Sequence, residues 1–172
     1  MRPSLLIAFL LTTVVGRTQQ VSIPAIFKNA FQNLKLNRKY DINGYLTPAF
    51  IQSDFNGDGV RDIAILVIEK STRKKGFIIL HGNSTKYFVF GAGTQFGNGS
   101  DDYEWAGKWS LYKHDRAYDM HSDGPDDSLV VAEAIELKRP GLMVENRKQN
   151  DSFRGGIIYW NNKEYIWIRQ EE

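Results

Sequence analysis

The chain has 172 residues, a formal net charge of +2, 42% hydrophobic and 24% charged residues, and no cysteine. That composition is ordinary globular material and excludes both a disordered polyelectrolyte and a small disulfide-stapled scaffold. The charge argues against a nucleic-acid partner: residues 17–53 carry five Lys/Arg to one Asp and residues 101–127 eight acids to three bases, and neither makes the dense basic stripe that tracks a phosphate backbone.

In chain order, Arg2 precedes an apolar run from Leu5 to Leu11, and small residues follow near Val14 and Gly16. A positive start, a brief apolar core and small residues read as a secretory signal peptide over residues 1–16, with cleavage expected between 16 and 19. The run is too short and interrupted for a permanent membrane span, and no later apolar stretch is long enough either. The remainder, 17–172, is expected to be a single globular β-rich domain with an irregular aromatic and acidic insertion at about 91–127. Lacking cysteine, it has no site for a lipid-anchored cysteine. The expected location is periplasmic or extracellular, as a non-lipoprotein.

Residues 22–35 predict one helix. Ser22 offers a cap, Pro24 sits in the first turn, and Ile23, Ile26, Phe27, Ala30, Phe31 and Leu34 recur at helical spacing. That face is expected to pack on a sheet. Asn37 to Gly44 reads as a polar connector. Tyr45–Thr47 and Ala49–Gln52 read as extended, with Pro48 marking an edge or a strand start. The run Ile63–Ile68 is continuously apolar, as in a strand covered on both faces. With Phe77–Leu80 and Lys86–Phe90 it predicts an antiparallel meander. Within the insertion, Trp109–Tyr112 reads as one short strand. Ser128–Ala132, Leu142–Asn146, Gly155–Trp160 and Glu164–Ile168 complete the strands. The fold class expected is mostly β with a minor α part: a meander or sandwich-like antiparallel domain with a packed N-terminal helix, not a propeller.

Between the second extended segment and the Ile63 run lies Asp54-Phe55-Asn56-Gly57-Asp58-Gly59-Val60-Arg61-Asp62. Oxygen-bearing side chains fall at positions 1, 3, 5 and 9, with Gly59 at 6 and the Val60 carbonyl at 7. Hard oxygen donors on a flexible loop suit Ca²⁺. An EF-hand would need a carboxylate at position 12 and a helix behind it, but position 12 is Ile65 in a β-branched run. Asp-x-Asn-x-Asp-Gly-x-x-Asp followed by a strand resembles the hairpin calcium loop of FG-GAP (integrin α-subunit type) and VCBS-like bacterial repeats. The resemblance covers about Phe50 to Val67. It implies side-chain ligands Asp54, Asn56, Asp58 and Asp62 and a backbone ligand at Val60. Those families repeat the unit around a propeller, whereas this chain holds one unit and no Phe-Gly…Gly-Ala-Pro run, so the propeller and its adhesive role are not implied. What remains resembles small exported bacterial proteins with one such loop. The bland alternative is a tight hairpin whose glycines supply positive φ and whose acids are solvated. With the strand behind it and a single copy, the ion is expected to staple the hairpin rather than catalyse.

Two further clusters bear weighing. Tyr103, Trp105, Trp109 and Tyr112 could form an aromatic shelf for a sugar or peptide, with Asp101, Asp102 and Glu104 supplying hydrogen bonds; the competing reading is that they anchor the insertion to the core. His114, Asp115, Asp119, His121 and Asp123 match no zinc spacing and read as a solvated acidic loop. His81 sits in a turn without a sequence neighbour to activate it. No Gly-x-Ser-x-Gly and no cysteine nucleophile occur, and no catalytic residue is assigned. The function expected is an exported, calcium-stabilised, non-enzymatic binding or envelope accessory protein with a protein or glycan partner. The alternatives are a secreted hydrolase acting on glycan or peptide, and an inhibitor or immunity-type partner.

Overall fold

The computed structural model describes residues 21–97, 100–122, 130–146 and 154–171, with backbone only for residues 121, 122, 130, 131, 154 and 171. The expected signal segment and Asp123 therefore lie outside the described residues.

The apolar run after the acidic loop forms the central strand. β3 (Asp62–Glu69) is buried along its whole length. It pairs on one side with β4 (Lys75–Leu80), which pairs with β5 (Tyr87–Gly91). Its other side is shared end to end by two short strands, β1 (Tyr40–Ile42) on its last three residues and β2 (Phe50–Ser53) on its first four. All these pairings are antiparallel, so the predicted meander is present, flanked by β1 and β2.

The period of two sorts this sheet into two cores. Ile63, Ile65, Val67, Ile78 and Leu80 face one way and pack with Ile23, Phe27 and Phe31 of helix α1 (Ala25–Asn33). Ala64, Leu66, Phe77, Ile79 and Phe90 face the other way, toward a second sheet. Each fully buried Ile or Leu here contributes roughly 1.5–3 kcal/mol of transfer free energy.

The helix is shorter than predicted. Pro24 caps it rather than Ser22, and Lys35 in the left-handed region (φ 59°) ends it, followed by a 3-10 turn at Leu36–Arg38. Ile26 points outward, 67% exposed. β1 replaces part of the expected polar connector. It is three residues long with Asp41 in its centre, too short for an apolar period to show.

The second sheet runs β11 (Tyr165–Glu171), β10 (Arg154–Trp160), β9 (Gly141–Asn146), β6 (Ala106–Tyr112). Trp109, Leu142, Val144, Ile158 and Tyr165 turn inward to meet the first sheet. Ile157, Tyr159 and Ile168 turn outward, where they are covered by Ala117 and Leu137 of the hairpin region of β7 (Arg116–Ser122) and β8 (Val130–Glu136). The order of layers is helix, five-stranded sheet, four-stranded sheet, hairpin. The chain is mostly β and antiparallel, with neither a closed barrel nor a propeller among the described residues. No described helix is long and apolar enough to cross a membrane.

The expected irregular insertion is more ordered than its sequence suggests. β6 and β7 both fall inside it, and only Ala117 of β7 is buried among the side chains described, so no alternation marks that strand. Trp167 of β11 lies close against two glycines. A Cβ on Gly156 would come 2.2 Å from its ring, and one on Gly97 would come 2.5 Å away.

Candidate cation-binding loop

Ser53 pairs with Asp62 at the base of the β2–β3 hairpin, so Asp54–Arg61 is its connection. Phe55 is 1% exposed and sits in the core between the sheets, which anchors the loop by its second residue. Gly57 (φ 78°) and Gly59 (φ 84°) occupy the left-handed conformations that let the chain wind back over itself.

The side chains organise the loop through its own amides. Asp54 Oδ1 accepts from Gly57 N (2.6 Å) and Asp58 N (3.1 Å), and its Oδ2 accepts from Gly59 N (2.9 Å). Asn56 Oδ1 accepts from Asp58 N at 2.9 Å, and Asp58 Oδ1 from Val60 N at 2.8 Å. The Asn56 amide nitrogen donates to Asp58 Oδ2 at 3.0 Å. The Val60 N–H, then the Asn56 amide, hold the Asp58 carboxyl below its usual pKa.

Asp62 is different in kind. It is fully buried, and its Oδ2 accepts from Phe55 N (2.9 Å) and Asn56 N (3.3 Å), while its Oδ1 accepts from Gly82 N (2.9 Å). It therefore ties the start of the loop to the turn after β4. Burial pushes its pKa up, opposed by the Gly82 N–H, the nearby His81 and the Phe55 N–H.

Two residues to which sequence reasoning gave no role complete the surroundings. His81 is buried, with Nδ1 3.2 Å from the Asn56 amide nitrogen and Nε2 2.9 Å from the Tyr165 hydroxyl. Burial lowers its pKa, with Asp62 opposing. A neutral ring accepting from Asn56 at Nδ1 donates from Nε2 to Tyr165, an assignment made from this network. Arg139 donates to the Asn56 carbonyl and to Asn162 Oδ1, both at 2.5 Å. Its Nε is buried and lacks a partner among the described residues. The Asn56–His81 contact spans 25 residues and follows from the β3–β4 pairing. The Arg139–Asn56 contact spans 83 and the His81–Tyr165 contact 84, and these two arise where the second sheet packs on the first.

The aromatic cluster is placed differently from a shelf. Tyr103 and Trp109 are core residues, 0% and 1% exposed, and the Trp109 indole donates to the Pro48 carbonyl at 2.7 Å. These two are corrected to packing residues: a ring enclosed between sheets cannot stack on a ligand. Trp105 is half-buried beside Tyr103, with ring centres 5.4 Å apart. Tyr112 is half-buried and donates to the Arg116 carbonyl. The neighbouring acids are each engaged. Asp101 pairs with Lys74 and Glu104 with Lys75, while Asp102 accepts from the Lys75 and Glu104 amides. In the histidine cluster, His114 and Asp115 are exposed, and Asp119 accepts from Arg169 N at 2.7 Å, bracing β7 against β11.

No family model, curated protein or solved structure matches this chain.

The loop thus stands on its own geometry. Its donors are all oxygens, the chemistry Ca²⁺ prefers. Asp54 and Asp58 keep acceptor capacity beyond the bonds they make, since a carboxylate offers about four lone-pair sites. Among the described residues no three His, Asp or Glu side chains converge on a common point. Gathering donors about an ion takes rotation of exposed Asp58 and half-buried Asn56, while Asp62 is held from three sides. The donor set suits the ion in kind and in its spacing along the sequence. Asp54, Asn56, Asp58, Asp62 and the Val60 carbonyl would hold it, with Asp62 also the fixed post of the hairpin.

Proposed function

We propose that the protein is an exported, non-enzymatic binding or envelope accessory protein whose β2–β3 hairpin is stapled by Ca²⁺. The observation that carries the reading is the loop itself. Oxygen donors at positions 1, 3, 5 and 9 are already wound into a turn by seven amide bonds to Asp54, Asn56, Asp58 and Asp62, over an anchor at Phe55. A prewound loop loses little chain entropy on taking up an ion. The ion's role is structural, because the loop joins two strands of the core sheet and the acids near the aromatic cluster are spent on Lys74, Lys75 and backbone amides.

Calorimetric titration of residues 17–172 with Ca²⁺ tests the ion, and melting with and without chelator tests its role. Asp58→Ala is expected to lower the melting temperature in calcium and to change it little in chelator. Equal shifts in both media would sink the calcium reading. A glycan and peptide array on the loaded protein tests the binding role, and turnover of an array member would favour the hydrolase instead.

A further inference from the structure

The first sheet ends at β5, and that edge offers hydrogen bonds to another chain. The bonds His81 N to Lys86 O (3.2 Å) and Ala92 N to Lys75 O (2.8 Å) bracket β5 against β4. In an antiparallel ladder, residues alternate between facing the partner and facing away. Lys86, Phe88 and Phe90 therefore spend their backbone groups on β4, and Tyr87, Val89 and Gly91 direct theirs outward. Gly91 is satisfied by reciprocal bonds with Thr94. Tyr87 and Val89 have no such partner among the described residues, which leaves two N–H and two C=O groups presented in strand geometry.

A groove of about 720 Å³ straddles this edge. On the helix side it is floored by Leu34, Leu36 and Tyr40, and on the other side by Phe88, Phe96 and Tyr165. Val89 and Tyr87 stand opposite Ile78 and Leu80 in register, hence on the helix side, while Phe88 faces the sandwich. Tyr87 is 43% exposed, unusual for a tyrosine on an otherwise buried sheet. The helix-side rim carries Lys35, which makes no ion pair among the described residues, and Lys39, which lies 3.4 Å from Glu69. Lys86 adjoins the edge, and Glu164 is the only acid lining the groove among the described residues.

An open strand edge between two apolar half-grooves is matched by one shape: an extended backbone whose alternate side chains go to opposite faces. A helix or a compact ligand could not use the outward amides of Tyr87 and Val89. Natural proteins blunt open edges with lysine. Here the lysines line one side of an apolar groove, so they select as well as repel. Pairing with a second copy along the same edge would bring two cationic rims together. We infer that β5 receives an extended, acidic segment of a partner protein as an added strand, bonded to Tyr87 and Val89, with alternate apolar side chains in the groove and a carboxylate opposite Lys35 and Lys39. This deepens the binding-protein reading and rests on it, but does not depend on the ion.

The test is a random twelve-residue peptide display library panned on residues 17–172, in calcium and in chelator, with enriched peptides resynthesised and titrated by fluorescence anisotropy. Enriched peptides are expected to alternate apolar and polar residues and to carry net negative charge. Val89→Pro, which removes an outward N–H without touching the β4 ladder, is expected to weaken binding at least tenfold. K35E/K39E is expected to weaken acidic peptides at least fivefold and to shift selection to basic ones. Where circular dichroism shows that Val89→Pro misfolds, enriched peptides N-methylated at alternate residues replace it: one methylation register should abolish binding and the other spare it. The inference is overturned by a library without enrichment, by peptides indifferent to both variants or to both registers, or by light scattering showing a dimer that β5 substitutions dissolve. Peptide selection that persists in a protein failing to bind Ca²⁺ would remove the calcium reading and leave the edge in place.

Discussion

Replacing Asp62 by alanine separates the two roles its loop has been given. The carboxylate is fully buried and accepts from Phe55 N and Gly82 N at 2.9 Å and from Asn56 N at 3.3 Å. Hydrogen bonds to a charged acceptor are worth roughly 1.5–3 kcal/mol each, and a buried donor left unpaired costs about 1–3 kcal/mol. Two of the three bonds are of ordinary full-strength length, and the third is longer. Against them stands the desolvation of the carboxylate itself, relieved in the variant. Asp62→Ala should therefore destabilise by about 3–5 kcal/mol, read by urea denaturation as a lower midpoint at unchanged slope. The loss should persist in chelator, because all three bonds are made to the protein's own amides. A loss below about 1 kcal/mol in chelator would refute the argument that Asp62 is the hairpin's post.

Glu69 and the glycines beside Trp167 give two further expectations. The Thr72 hydroxyl, then Lys39, hold the Glu69 carboxyl below its ordinary value. A depressed carboxylate adds stability that is full above its unfolded pKa and is lost as pH falls through the lower folded value. The stability gap between the native protein and Glu69→Gln should stay level from pH 8 to 6 and shrink toward zero below about pH 4, and urea midpoints across that range would reveal a gap that fails to shrink. Gly156→Ala would set a methyl 2.2 Å from the Trp167 ring. It should cost about 1–3 kcal/mol or more as β10 and β11 part, seen as a lower melting temperature with a shift in tryptophan emission; an unchanged melt would show that the ring moves freely.

The strands that could be read from sequence are those whose chemistry repeats. Ile63–Ile68 is β-branched throughout and is buried on both faces, and Phe27 and Phe31 lie one turn apart and share a core. Arg116–Ser122 mixes charges on both faces because it is laid on the outside of an already formed sheet, and Ala117 is its one buried apolar side chain among those described. Pattern arguments cannot see such a strand. The same holds for Tyr103 and Trp109, whose rings look like a binding surface in a sequence rich in Gly and Asp. The loop's candidate oxygen donors were legible because the backbone there is local. Its neighbours His81, Arg139 and Tyr165 were not, because they arrive from other strands and a turn of the second sheet.

Arg139 stands against the backbone of that loop, donating to Asn56 and to Asn162 across the β10–β11 turn. A fixed guanidinium bonded to the loop's Asn56 carbonyl adds positive charge at the loop before any ion arrives, and one donor of the set is a neutral amide. Both features act on affinity in the same direction, toward the roughly 10⁻⁴–10⁻³ M range of extracellular calcium modules and away from that of intracellular sensors. On the proposed export, the staple would then close only outside the cytoplasm, so that the hairpin hardens in the compartment where it is proposed to work.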